Sequence, residues 1–358
     1  MSSISWLEVT DFRNFEQLRI TPDLQGLTVI SGENGVGKTS LLEAVAYIAI
    51  QQSFRQSPRE SLVRNGADRA FVRSTIIDDQ RETLVEIEID PTKRDVVQRN
   101  RQRIYRSQQL AEILRVTVFT PDDLVLVKGG PAERRQYLDD LLIASSPKLR
   151  TVIQKMEKIF RQRNVLLRQS NGRLSQDIAN TLDVWDAQLC DVGERVVLAR
   201  KDLLEELHPR AAEAFRNLTR LPMSLSLEYQ HSYQGSLREA LEQAREIDLR
   251  RGLSTVGPQR DDFSIRADSL DSRTRLSQGR QRAITLALRL AAHDVVARAS
   301  GTSPVLLLDD VFSELDEPTA EALFAELPVG QTLLTTAGVI PRIATAHCTV
   351  LLEQGVRR

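Results

Sequence analysis

Eight consecutive residues, Gly32-Glu33-Asn34-Gly35-Val36-Gly37-Lys38-Thr39, fit the pattern GxxxxGK[ST] in full. Glycines in such a loop let backbone N–H groups curl round phosphate oxygens, and a helix starting at its end aims its positive dipole at them. In this pattern Gly32, Asn34, Gly35 and Gly37 shape the cradle, Lys38 adds a mobile charge, and Thr39 and Ser40 follow with hydroxyls, that of Thr39 suited to Mg²⁺. Only seven residues of the 358 are lysine, which makes a chance match rare. Near the other end, the apolar run Val305-Leu306-Leu307-Leu308 delivers Asp309 and Asp310. A buried strand ending in carboxylates is the partner such a loop needs, with Asp309 in the metal shell and Asp310 positioning or deprotonating a water. Lys38, Asp309 and Asp310 are thus the candidate catalytic residues. Between these two pieces lies Leu276-Ser277-Gln278-Gly279-Arg280-Gln281. There Ser277 can cap a helix whose free N–H groups, with Gly279, form a second phosphate-binding terminus.

The elements that must position these residues follow from periodicity. Ile4, Trp6 and Val9 alternate as in a strand, and Leu27 to Ile30 reads as a second strand feeding the glycine loop, after which Leu41, Leu42, Val45, Ala46 and Ile48 mark a helix. Ala70–Ile77 and Glu82–Ile89 pair as strands, Val116–Phe119 adds another, and long helices begin near Pro131. Leu182, Trp185, Leu189, Val192, Val196, Ala199 and Leu203 form a heptad seam that ends at His208-Pro209, the pattern of a helix packed within one lobe. Strands return at Phe263–Ala267, Val305–Leu308 and Thr332–Thr336, around a helix over 280–298. The expectation is an α/β head made of residues 1–130 and 253–358, with a helical lobe, 131–252, inserted between them.

Composition sets the class. With 41% apolar and 27% charged residues the chain is globular, and its longest uncharged apolar stretch, near Ala44–Ile50, is far shorter than a bilayer span. Two cysteines, four scattered histidines and a start without a basic-then-apolar leader point to a reducing cytoplasm and to no zinc site. The net charge of −1 excludes nucleic-acid binding through bulk charge. Two local basic stretches remain. One is Lys93, Arg94, Arg99, Arg101, Arg103 and Arg106 with Tyr105, in what reads as a hairpin. The other is Arg134, Arg135, Lys148, Arg150, Lys155, Lys158, Arg161, Arg163 and Arg168 in the helical lobe.

The segment 276–281 resembles the LSxGQ signature of ABC-type ATPases, and Ser313-Glu314-Leu315-Asp316 looks like their D-loop. Within that superfamily the chain resembles the RecF family of DNA-repair ATPases, related to SMC heads. The resemblance runs through Asp11-Phe12-Arg13-Asn14-Phe15, Ser53-Phe54-Arg55, Phe119 to Leu124, Val127 to Pro131 with Arg134-Arg135, Gly257 to Asp262 and Asp309 to Asp316. It implies an ABC-type P-loop ATPase head with an inserted helical lobe, ATP and Mg²⁺ as cofactors, and Arg13 among the nucleotide contacts. It also implies an ATP-dependent homodimer in which Ser277 and Gly279 of one copy meet the γ-phosphate held by the other. Duplex DNA or a single-strand/duplex junction, RecR, and functionally RecO and RecA are the partners it implies, with no membrane. Arg280 stands where the superfamily has glutamine and Gln259 where the family has histidine. Asp310 is one methylene shorter than the glutamate of transport ATPases, which suits slow hydrolysis. Thr336 is the expected γ-phosphate sensor, and Lys128-Gly129 the expected Q-loop counterpart. A transporter motor subunit and a non-hydrolysing ATP-gated DNA scaffold are the alternatives.

Overall fold

The computed structural model describes residues 2–78, 81–105, 110, 113–338 and 345–353. They divide into two compact units: residues 1–123, 217–221 and 285–358 form the first, and 124–216 with 222–284 the second.

The first unit is organised around one buried helix. Helix α1, Lys38–Ile50, has 11 buried residues among its 13 and no polar stripe, as expected of a helix covered on all sides. On one side it meets a six-stranded antiparallel sheet in the order β2-β1-β4-β5-β6-β7, built from Ser3–Phe12 (β1), Phe15–Ile20 (β2), Ala70–Asp78 (β4), Arg81–Ile89 (β5), Val96–Arg99 (β6) and Gln102–Ile104 (β7). On the other lies a parallel sheet in the order β14-β3-β13-β12-β8, from Leu27–Gly32 (β3), Val116–Phe119 (β8), Val305–Asp309 (β12), Thr332–Thr336 (β13) and Cys348–Leu352 (β14). Residues of both sheets and of α1 share one apolar core, including Ile4, Val72, Leu41, Val45, Leu307 and Leu333. The register sets Asp309 beside Thr335, and Thr336 beside Ser31, so the carboxylate strand and the strand feeding the glycine loop end at the same edge. Gln331 locks the sheets together: its amide accepts from Ile4 N–H at 2.7 Å and donates to the carbonyls of Ile4 and Asp23 at 2.8 Å each.

The second unit is mainly helical: Pro131–Ser145 (α2), Leu149–Gln169 (α3), Gln176–Thr219 (α4) and Leu237–Arg251 (α5), with a small sheet β11-β10-β9 formed by Leu225–Gln230 (β9), Asp262–Ala267 (β10) and Leu270–Asp271 (β11). The seam of α4 does not end at Pro209. The helix runs 44 residues with Pro209 inside it, and Leu207, Ala211, Phe215 and Leu218 continue the buried stripe. Burial on both sides of the proline outweighs the one backbone bond it removes. Arg163 is fully buried, its Nε bound to Asp186 at 2.7 Å and its Nη1 to Asp248 at 2.6 Å. Helix α6, Gln278–Ser300, starts in the second unit and continues in the first, and α7 spans Glu317–Ala325.

Candidate nucleotide site

Gly37 ends the phosphate cradle at φ +110°. A β-carbon there would come within 2.6 Å of the Asn14 amide and the Phe15 ring, so backbone angle and space both demand glycine. Asn14 ties the loop down by donating from Nδ2 to the Val36 carbonyl at 2.7 Å. Lys38 donates from Nζ to the carbonyls of Gly32 and Glu33, at 2.7 and 2.8 Å, which holds the ammonium along the loop.

The carboxylates face this cradle. Asp309 Oδ1 accepts from the Thr39 hydroxyl at 2.9 Å and from the Thr335 hydroxyl at 2.7 Å. Thr335 Oγ1 also accepts from Asp310 N–H at 3.0 Å. Asp310 adopts a left-handed backbone, φ 48° and ψ 29°, a conformation that concentrates at functional turns. Its Oδ1 is buried without a hydrogen-bond partner among the described residues. Burial pushes the Asp309 carboxyl above its ordinary pKa and the charge of Asp310 adds to this, while the hydroxyls of Thr335 and Thr39 pull it down. A hard divalent cation answers both features. The Thr39 hydroxyl and Asp309 carboxylate are oxygen donors already in contact, and Asp310 adds a second carboxylate to the lining of the same cleft. No cluster of three His, Cys, Asp or Glu exists among the described residues.

An open cleft of about 750 Å³ joins these groups, lined by Arg13, Asn14, Asn34, Gly35, Gly37, Lys38, Thr39 and Ser40 on the cradle side, by Asp309, Asp310 and Thr335 at the strand ends, and by Arg55, Glu60, Ser61, Val63 and Asn65 from the loop after α1. Arg13 reaches the cleft at φ 57°, yet its guanidinium is engaged elsewhere. Nε and Nη2 donate to the two oxygens of Glu43 at 2.7 Å each, and Nη1 to the Ser61 carbonyl at 2.9 Å. Glu43 also accepts from the Ser53 hydroxyl, whose oxygen receives the N–H groups of Arg55 and Ser57 at 3.1 and 3.2 Å.

Two residues escaped the sequence reading. Thr335, not Thr336, faces the cleft; Thr336 is buried with its hydroxyl bonded to Gly338 N–H at 3.0 Å. Strand alternation is the reason, since the Thr335 side chain points toward Asp309 and that of its neighbour to the opposite face. Arg55 was visible only as part of a motif, because nothing in its spacing shows that the chain folds back over the cradle. Gly32, at φ +155°, tolerates no β-carbon either, the Leu352 carbonyl being 2.4 Å from its position. Ser277 and Gly279 belong to the second unit. They are exposed at the start of α6, where the Ser277 carbonyl accepts from Gln281 N–H at 3.0 Å. Asp316 caps α7, accepting from Thr319 N–H at 3.1 Å.

The sequence and fold now have relatives. Residues 3–332 match the family described as the RecF/RecN/SMC N-terminal domain. A protein of Streptomyces avermitilis named DNA replication and repair protein RecF is 38% identical over 94% of this chain and 93% of its own length. A protein of the same name from Frankia alni is 37% identical over 93% of both chains. The chain belongs to the RecF family. A solved structure of the recombination mediator protein RecF-ATPrS in the RecFOR pathway superposes with a TM-score of 0.88, at 26% identity, over 98% of this chain and 96% of that one. The Smc head domain of Pyrococcus furiosus, at 17% identity over 94% of this chain and 90% of that one, with a TM-score of 0.55, shares the fold. This RecF-family fold is the ABC-type head expected from the glycine loop and signature.

The two basic stretches differ sharply. In the second unit Arg134 is held bidentate by Asp262 at 2.7 Å, Arg135 donates to the Asp261 carbonyl, and Arg163 is buried, so these three serve the interior; Lys155, Lys158 and Arg161 remain exposed on α3. In the first unit Lys93 and Arg94, in the connection before β6, and Arg99, Arg101 and Arg103, on the hairpin β6–β7, are all exposed. Arg106 lies outside the described residues. No helix among them is long and apolar enough to cross a membrane.

Proposed function

We propose that this chain is a cytoplasmic DNA-repair and recombination ATPase whose two copies close around two ATP molecules, clamp duplex or gapped DNA, and reopen after slow, DNA-stimulated hydrolysis. The observation that carries it is the joining of Thr39, Asp309 and Asp310 at the mouth of the glycine cradle. Lys38 and the loop N–H groups bind the β- and γ-phosphates, and Thr39 and Asp309 hold Mg²⁺, which supplies charge neutralisation on those phosphates when bound. Asp310 orients and takes a proton from the attacking water. Ser277 and Gly279 of the second copy cap the γ-phosphate. Each charge-assisted bond they make contributes about 1.5–3 kcal/mol, enough in sum to separate ATP from ADP in the dimer equilibrium. The exposed hairpin arginines take DNA phosphates without reading bases. RecR is the expected partner, with RecO and RecA as functional partners.

The test is molecular-size analysis of the wild type and Ser277→Arg with ATP, ADP or no nucleotide, with and without DNA. Doubling only with ATP, abolished by the substitution, is the expected result; a nucleotide-saturated chain that stays a single copy would overturn the clamp.

A further inference from the structure

On the outer face of the antiparallel sheet, the strand register sets Arg19, Glu8, Arg73, Glu86, Gln98 and Arg103 in one row across β2, β1, β4, β5, β6 and β7. Four of them form a charge ladder, with Arg19–Glu8 at 3.8 Å, Arg73–Glu8 at 3.5 Å and Arg73–Glu86 at 3.3 Å, the pairing that stabilises neighbouring strands. At the edge the alternation stops. Arg103 faces neutral Gln98, and among the described residues no carboxylate lies within ion-pair distance of Arg99, Arg101 or Arg103. The acidic residue of this stretch, Asp95, is turned inward, 4% exposed, against Arg59 at 3.0 Å and the Tyr47 hydroxyl at 2.7 Å.

An edge strand gains solubility from cations alone, but two features here exceed that need. Asn100 and Arg101 form a two-residue turn with φ of 49° and 66°. An arginine occupies the left-handed position that glycine fills without strain, so the tip keeps a cation at a conformational cost. Tyr105 is 84% exposed, with the Arg103 guanidinium 5.4 Å from its ring centroid. An uncovered aromatic beside a row of unpaired arginines is the combination that binds unpaired nucleic acid, arginines on the backbone and the ring under a base.

We propose that Arg103 and Tyr105, with Arg99 and Arg101, form a seat for an unpaired nucleobase next to the backbone that the arginines hold. This rests on the reading of the chain as a DNA-binding protein and adds to it the chemistry of the bound strand. The hairpin then separates a duplex carrying a single-stranded tail from a blunt one.

The experiment uses the full chain with three oligonucleotides, a blunt duplex, the same duplex with a thymidine tail, and the tail alone, each of the last two with 2-aminopurine in the tail. The expected result is that Tyr105→Ala weakens tailed-duplex binding about tenfold, abolishes the 2-aminopurine fluorescence change, and leaves blunt-duplex affinity and melting temperature unchanged, while Tyr105→Trp restores the tailed-duplex binding and the fluorescence change. Wild-type affinity of Tyr105→Ala for the tailed duplex, or an equal loss on the blunt one, overturns the seat. If the triple reversal of Arg99, Arg101 and Arg103 to Glu leaves all three substrates bound as before, the hairpin is not a DNA surface at all; if only the triple reversal weakens binding, the DNA surface stands and the seat falls.

Discussion

The two oxygens of Glu43, a residue with no exposed surface, receive Nε and Nη2 of Arg13 at 2.7 Å each. Glu43 stands on the phosphate-loop helix and Arg13 in the turn after β1, so the pair joins that helix to the turn that carries Asn14. Leaving either charge unpaired in this setting costs about 3–5 kcal/mol. Arg13→Ala is therefore expected to lower the denaturant midpoint strongly, and Glu43→Gln, which keeps the shape, to lower it less. If Arg13→Ala leaves stability intact and weakens only nucleotide binding, its guanidinium serves the ligand instead.

Asp310→Asn tests the division of labour between the two carboxylates. The amide keeps the size of the side chain and removes the proton acceptor, so hydrolysis falls about 10²–10⁴-fold with ATP affinity unchanged. Asp309→Asn, by contrast, weakens Mg²⁺-dependent nucleotide binding itself. Equilibrium binding of a fluorescent ATP analogue beside single-turnover hydrolysis distinguishes them, and equal turnover by Asp310→Asn and the wild type would remove Asp310 from the chemistry.

Gly37→Ala addresses the cradle. The left-handed angle costs roughly 1–2 kcal/mol for a residue with a β-carbon, and the added methyl meets Asn14 and Phe15 at 2.6 Å. The variant is expected to lose phosphate binding while melting only a few degrees lower. Gly35→Ala, with φ +82° but open space around the new carbon, is the milder control.

His293 gives a pH signature. Burial pushes its imidazole down to about 4, and the neutral ring bonds to the Thr117 hydroxyl at 2.6 Å. The unfolded chain binds a proton near 6.5 that the folded chain refuses until about 4, so stability is fully present above pH 6.5 and declines as pH falls across that window. The loss amounts to about 3 kcal/mol. His293→Gln should flatten the acid limb of a stability–pH curve between 6.5 and 4, and an unchanged slope would show that the ring is already charged in the native state.

Much of this was legible in the sequence. The glycine loop, the apolar run before Asp309 and the long alternating strands announce themselves because each is a local pattern with a single physical solution. The basic stretch from Lys93 to Arg106 read as a hairpin without bounds, and Val96–Arg99 pairs there with Gln102–Ile104. β9 and β14 were not legible: Leu225–Gln230 and Cys348–Leu352 are short, half exposed and defined by partners distant in sequence. The site divides the same way. Lys38 and Asp309 come from motifs, whereas the engagement of Arg13 by Glu43 and the turning inward of Asp95 depend on which surfaces meet. Pro209 misled because local chemistry opposes a helix there and tertiary burial overrules it.

A helix sealed between two sheets has no free side on which to swing. With α1 wedged in this way, arrival or loss of a terminal phosphate cannot be absorbed by tilting the element that holds it. The 53–65 wall is no looser, for the Arg13 N–H on the Leu62 carbonyl and the Arg64 N–H on the Asp11 carbonyl, at 2.8 Å each, fasten it to β1. Cradle, helix and wall are thereby braced as a single frame around the cleft.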